Sequence, residues 1–273
     1  MGENSTTAVG GCGENVKQEM NYMTVSDLNK KVKKLMTIVK IKLHQKSFDG
    51  LPYLWQRNGS DKLLIVFSAF TGDKRRFNYV TSFKDLKCDK LFVLDPWGCK
   101  GSYNLYENGE NYPEQITRRL LTKIVNGGGY KYLYAAGTSK GGTEAIYFGL
   151  PLDVDVVFTG ACQYNLGTYL GRAEFRNIFE GMMGKEAGQC EVEHLNKKIY
   201  DSLRNYNGDK TTVHVFYSKK ELTYERQIID LLRDLKDNNI PFEDIESDFE
   251  KHEDVAGPFV KYVNDYFKKL KNE

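Results

Sequence analysis

Five short apolar runs recur along the chain, and between them the sequence changes period. They are Leu63-Leu64-Ile65-Val66-Phe67, Leu91-Phe92-Val93-Leu94, Tyr132-Leu133-Tyr134-Ala135, Val154-Asp155-Val156-Val157-Phe158 and Val213-His214-Val215-Phe216-Tyr217. Each has the length of a strand and little alternation. A strand with one wet face alternates polar and apolar residues. A continuous run is covered on both faces, which calls for a parallel sheet flanked by helices. The intervening segments supply helices. Pro113 suits a first helical turn, Ile116, Leu120 and Ile124 share a face, and Gly127 follows the end. Ile228, Leu231, Leu232 and Leu235 form a second stripe. Val255, Phe259, Val263 and Phe267 form a third, with its regular part expected from Pro258. Strand and helix in alternation predict an α/β fold with a mostly parallel central sheet.

Composition removes several alternatives. The chain has 273 residues, 40% of them hydrophobic and 28% charged, enough apolar material for a sizeable core. Lys and Arg exceed Asp and Glu by 39 to 37, so bulk charge gives no hint of a dedicated nucleic-acid binder. No apolar run reaches the roughly 18 residues of a membrane span. The five cysteines are odd in number and include no Cys-x-x-Cys pair. A disulfide framework and a cysteine zinc site are therefore not expected, and a reducing, cytoplasmic setting is. Neither a metal-ligand cluster nor a dinucleotide fingerprint is present, so no metal or nucleotide cofactor is expected. Residues 1–20, rich in Gly, Ser, Thr and Asn and without a secretory signal pattern, read as a disordered tail. Residues 21–273 read as one domain. A long insertion at about 163–206 reads as a helical cap.

The most informative segment joins the third apolar run to a small-residue helix start: Ala136-Gly137-Thr138-Ser139-Lys140-Gly141-Gly142-Thr143. Gly-x-Ser-x-Gly gains meaning when it lies between a strand and a helix. A sharp junction there leaves no room for side chains at Gly137 and Gly141, and it lifts Ser139 above the sheet as a nucleophile. The Lys140 N–H at the helix start would face a developing oxyanion. A glycine turn with a capping serine is the structural alternative. The spacing Gly-x-x-x-x-Gly-Lys-Ser/Thr is absent, which excludes an NTPase loop.

Such a serine takes its acid and its histidine downstream, in that order. His44 lies upstream, His214 sits inside a strand and His194 in a polar helix. His252 follows a candidate last strand, Phe242 to Ser247, and precedes the last helix, the place for a general base. Glu221, just after the strand that ends at Tyr217, is the acid. Glu225 is the reserve and reads more simply as a solvated helix residue. Topology assigns a second oxyanion donor to the loop after the first core strand, through the N–H of Ala69 or Phe70.

Phe67-Ser68-Ala69-Phe70, the Ser-Lys-Gly-Gly elbow, Tyr217-Ser218-Lys219-Lys220-Glu221 and the His252 loop recur in this order in a known family. Over roughly residues 50 to 270 the chain resembles capsular-polysaccharide O-acetyltransferases of α/β-hydrolase fold. It is similar too to accessory proteins of glycosylated-adhesin export implicated in carbohydrate O-acetylation. The family acid is usually aspartate, where this chain has Glu221. The resemblance implies that Ser139 takes acetyl from acetyl-CoA, as co-substrate, and passes it to a polysaccharide or oligosaccharide hydroxyl. Basic residues at the expected strand ends (Lys74, Arg75, Arg76, Lys100, Lys140, Lys219, Lys220) would suit CoA phosphates or an anionic glycan. Trp97, Tyr103, Tyr106 and Tyr164 would offer faces for sugar rings. The residues leave transfer and hydrolysis equally open, so an esterase or thioesterase is the second reading. A non-catalytic assembly protein on the same fold is the third.

Overall fold

The computed structural model describes residues 25–70 and 75–270. The expected tail, Lys74 and Cys12 lie outside them. The chain divides into two compact units, residues 1–43 and 44–273. The described part of the first is a single helix, α1 (Val25–His44), which runs one residue past the division.

The second unit is built on an eight-stranded sheet. In chain order its elements are β1 (Lys46–Phe48), β2 (Leu51–Gln56), β3 (Lys62–Phe67), β4 (Asp89–Val93), α2 (Tyr112–Gly128), β5 (Tyr132–Thr138), α3 (Lys140–Gly149) and β6 (Val156–Gly160). There follow α4 (Leu166–Leu170), α5 (Arg176–Met183), α6 (Gln189–Arg204), β7 (Thr212–Tyr217), α7 (Ile229–Asp237), β8 (Phe242–Glu246) and α8 (Ala256–Lys269). The strand order is β1-β2-β4-β3-β5-β6-β7-β8. From β4 to β8 every pair is parallel, whereas β2 lies antiparallel to both β1 and β4.

All five continuous apolar runs fall on strands β3 to β7, with Leu94, Val154 and Asp155 just outside them, and both faces of these strands are covered. One face carries Leu63, Ile65, Leu91, Leu133, Val157 and Val213 in a core shared with α2, α3 and α6. The other carries Tyr134, Phe158 and Phe216, which meet the rings of Phe259 and Phe267 on α8 at 4.8 to 6.3 Å between centroids. His214 belongs to this second face. Its Nδ1 lies 2.7 Å from the Tyr262 hydroxyl, and burial pushes its pKa down, as a packed sheet residue requires.

Helix boundaries differ from the sequence reading by a few residues. α2 runs through Gly127 and Gly128. Gly129, at φ 63°, is the residue that takes the left-handed cap. α8 starts two residues before Pro258, because proline in a first turn forfeits no helical hydrogen bond. The β1–β2 hairpin was not expected. β1 has only three residues, and Pro52 masks β2, yet proline is tolerated where β2 meets the short edge strand. The segment between β6 and β7 holds α4, α5 and α6, a helical insertion. Among the described residues no helix is long and apolar enough to cross a membrane, and no cluster of His, Cys, Asp or Glu could hold a metal ion.

Candidate active site

Four adjacent parallel strands each deliver one residue at their C-terminal ends. Ser139 follows β5, Gln163 follows β6, Glu221 follows β7 and His252 follows β8. Chain order and spatial order coincide because each helical crossover returns to the next strand on the same side. Residues far apart in sequence thus arrive side by side at the sheet edge where open α/β folds bind ligands.

Ser139 occupies the strained point of the junction, at φ 52° and ψ −125°. For a residue with a Cβ this conformation costs on the order of 1–3 kcal/mol and persists only where its surroundings enforce it. The glycines show the enforcement. A methyl on Gly137 would overlap the Gly141 backbone, and one on Gly141 would overlap the Phe67 carbonyl at the end of β3. The Ser139 N–H donates to the Gly160 carbonyl at 2.7 Å, which ties the turn to β6.

Ser139 Oγ lies 2.8 Å from His252 Nε2 and accepts from Gln163 Nε2 at 3.0 Å. With one lone pair taken by the amide, the hydroxyl proton is directed at the imidazole. Gln163 is fixed in turn. Its N–H donates to Thr143 Oγ1 at 3.0 Å, and the Tyr103 hydroxyl donates to its Oε1 at 3.3 Å. His252 Nδ1 faces Glu221 Oε1 at 3.4 Å, longer than a good hydrogen bond, and has no other partner among the described residues. Such contacts often tighten only when substrate is bound. Glu221 is buried, which by itself would raise its pKa. The His252 ring beside it, and donation from the Thr223 hydroxyl and N–H, outweigh burial and hold the carboxyl below its ordinary value of 4.5. Glu225 is exposed and, among the described residues, makes no such contact.

Lys140 departs from the sequence reading. Its ammonium is 2% exposed and paired with Glu144 Oε2 at 2.6 Å and Asp95 Oδ2 at 3.2 Å. It is neither a rim cation nor an oxyanion donor through its side chain. Its N–H opens α3 and, like those of Ala69 and Phe70, has no hydrogen-bond partner among the described residues. Asp95 also accepts from the N–H groups of Ser102 and Asn104, and Asn104 Nδ2 donates to Glu144 at 2.6 Å. Burial pushes Glu144 up to about 7 in spite of Lys140. Neither Gln163 nor this cluster was recognised in the sequence. The i, i+4 spacing of Lys140 and Glu144 and the position of Gln163 just past a core strand were the only signals.

The expected substrate contacts mostly serve the scaffold. Tyr164 is 3% exposed and donates its hydroxyl to Asp234 at 2.7 Å, so its ring cannot stack on a sugar. Trp97 donates Nε1 to Asn104 and packs edge-on against Tyr112. Tyr103 is fully buried, and Tyr106 bonds His194 and Lys198. Arg75 spends its guanidinium on the carbonyls of Pro96, Trp97 and Gly98. Lys219 and Lys220 pair with Glu246 and Asp248. Arg76 and Lys100 are exposed.

A cavity of about 430 Å³ lies beside His252 and Glu221, although Ser139 is not among the residues that line it. His252, Glu221 and Thr223 line one side, and Tyr169, Arg172 and Phe175 of the insertion line another. Tyr169 and Phe175 stack at 4.5 Å with the Arg172 guanidinium over both rings. Arg226 is exposed at the rim, and its guanidinium has no partner among the described residues. A larger cavity of about 710 Å³, beside Tyr147 and α6, contains none of Ser139, His252 and Glu221.

The fold has counterparts among solved structures. The fold is that of the α/β hydrolases. The capsule O-acetyltransferase of Neisseria meningitidis serogroup A superposes with a TM-score of 0.71 at 19% identity, over 82% of this chain and 93% of its own. A histidine-to-alanine mutant of that enzyme has been solved in complex with CoA. A Glycosylation Associate Protein complex from Streptococcus agalactiae matches at 20% identity and a TM-score of 0.66, over 81% of this chain and 43% of that one. A fluorophosphonate-binding serine hydrolase of Staphylococcus aureus matches at 12% identity and a TM-score of 0.54, over 80% and 91%. No protein-family model and no curated protein sequence matches the chain.

Proposed function

We propose that the chain is a serine-nucleophile O-acyltransferase that moves acetyl from acetyl-CoA to a hydroxyl of a polysaccharide or oligosaccharide. The observation that carries the reading is the 2.8 Å contact between Ser139 Oγ, on its strained junction, and His252 Nε2, with Glu221 behind the ring. His252 takes the Ser139 proton as Oγ attacks the thioester carbonyl. Glu221 holds the imidazolium. The N–H groups of Lys140 and of Ala69 or Phe70 receive the oxyanion. When the C–S bond breaks, the His252 proton passes to the departing thiolate. The acceptor hydroxyl then gives its proton to His252 and attacks the acetyl-serine, and Ser139 leaves with that proton restored. Two of the structural neighbours, a capsule O-acetyltransferase and its CoA-bound mutant, support acetyl-CoA as donor and a glycan as acceptor. Arg226 at the cavity rim, with Arg172 beside it paired to Glu174 at 3.4 Å, would meet an anionic group of the substrate. Arg226→Gln should raise KM several-fold with little change in kcat.

A second reading, ester hydrolysis, is favoured by one observation. The His252 side chain is 36% exposed, so water can reach an acyl-enzyme unless the acceptor displaces it. An assembly role without chemistry would leave Ser139 unreactive.

Intact mass after mixing with acetyl-CoA, with thiol release followed in parallel, separates these readings. A single acetyl adduct, absent in Ser139→Ala, supports transfer. Labelling of Ser139 by a phosphonate without any acetyl adduct would move the assignment to an esterase. No labelling of the folded protein would leave only the assembly role.

A further inference from the structure

The charge of this chain is concentrated in one element. α1 carries six lysines, Lys30, Lys31, Lys33, Lys34, Lys40 and Lys42, against one acid, Asp27, a net of +5. The whole chain carries +2, so the other residues together carry −3. Such an asymmetry marks a segment whose partner is anionic.

The same helix holds a continuous apolar stripe. At helical periodicity Leu28, Val32, Leu35, Met36, Val39 and Leu43 share one face about 100° wide. The sequence places all six lysines outside it, with Lys31 and Lys42 along one border and Lys33 and Lys40 along the other. The stripe is open to solvent: Leu35 is 62% exposed, Met36 66% and Leu43 76%. An exposed stripe of large aliphatic side chains between two lysine borders marks a surface that another body covers.

Charge decides between the possible occupants. A second copy of the helix would pair through Val25, Val32 and Val39 at one core position of a heptad and Leu28 and Leu35 at the other. That register brings Lys42 to the next core position and sets six lysines against six with a single acid on each side. A transmembrane course is excluded by the same lysines. An anionic lipid surface satisfies both features at once. Its acyl boundary takes the apolar stripe, and its headgroup phosphates take the lysines.

We propose that α1 is an interfacial membrane anchor that lies in the plane of an anionic lipid surface. It would hold the enzyme at a membrane without spanning it and takes no part in the chemistry at Ser139.

The test is sedimentation of the full chain with vesicles of phosphatidylcholine containing about one third phosphatidylglycerol, beside vesicles of phosphatidylcholine alone. Wild type should sediment with the anionic vesicles and be partly released by high salt. Leu35→Glu combined with Met36→Glu should abolish binding. Lys33→Gln combined with Lys34→Gln should weaken it by at least about tenfold. Both double variants should keep wild-type turnover of a soluble ester, which separates loss of anchoring from loss of folding. Three outcomes would overturn the proposal. These are wild type that stays in the supernatant with both vesicles; binding that is equal on the two and indifferent to the lysine variant; and a dimer, found by light scattering without lipid binding, that Leu35→Glu dissociates, which would assign the stripe to a second copy.

Discussion

Two carboxylates flank the Ser139 junction, and they are held in opposite ways. Glu221 sits at the cavity with the imidazole on one oxygen and the Thr223 hydroxyl and N–H on the other, and these donors keep its pKa below 4.5. Glu144 is sealed behind the junction. Burial lifts it to about 7 although Lys140 and Asn104 donate to it. Burial opposes ionisation in both, and the balance turns on what it is set against. Glu221 shares its donors with no other carboxylate. Glu144 shares the one lysine with Asp95, so two acids compete for a single cation. In the proposed reaction the first arrangement would keep a charge ready to steady an imidazolium. The second fastens Lys140, Asn104 and the start of α3 to one another, and so holds the geometry of the Ser139 junction.

This contrast can be broken at either end. The largest effect is expected from Glu221→Gln, which keeps the shape but removes the charge that fixes the His252 tautomer. Turnover should fall by roughly 10³- to 10⁴-fold with the fold intact, while Glu225→Gln should leave it unchanged. A reversed ranking would move the acid to Glu225. On the other side, Lys140→Met leaves Asp95 and Glu144 buried without their cation. Urea unfolding should register a loss of about 3 kcal/mol, and a variant as stable as wild type would remove the cluster from any structural role. Gln163→Leu should act more gently. Without its amide the Ser139 hydroxyl is free to turn from His252, and kcat should drop about tenfold with KM little altered. An unchanged kcat would show that the hydroxyl needs no such guide.

The smallest effect is on pH dependence, where the two carboxylates should show opposite slopes. The folded pKa of Glu221 lies below 4.5, so its contribution to stability is present above pH 4.5 and is lost as pH falls through the lower, folded value. The folded pKa of Glu144 lies above its unfolded value. The native state therefore holds the extra proton between pH 4.5 and about 7, and stability declines as pH rises through that window. Urea midpoints across pH should lose the low-pH limb in Glu221→Gln and the neutral-pH decline in Glu144→Gln. Identical profiles in the two variants would erase the distinction.

Much of the sheet was legible in the residues because its signal is local. An uninterrupted apolar run such as Leu63 to Phe67 records burial on both faces whatever its neighbours are. The Gly137-Ser139-Gly141 junction is local too, since the clash that requires glycine arises within one turn and the strand beside it. The β1–β2 hairpin was not legible, because a three-residue edge strand carries no period. Nor were the uses of the long polar and aromatic side chains. Tyr164 and Trp97 look the same in sequence whether they face a ligand or a polar group of the scaffold, Asp234 for one and Asn104 for the other, and only the i, i+4 spacing to Glu144 hints that Lys140 points inward.

By itself, then, the sequence determined which core segments are strands, where the glycine-flanked junction at Ser139 falls, and that Glu221 and His252 follow it in that order. Only the tertiary structure decided that Gln163 reaches Ser139 across 24 positions and that Asp95 and Glu144 share one lysine. It also decided that Arg172 and Arg226, not the loop lysines, border the cavity. Backbone conformation and burial are set within a few residues and by apolar pattern, whereas hydrogen-bond and ion-pair partners are chosen by whichever side chain the fold brings within about 3 Å.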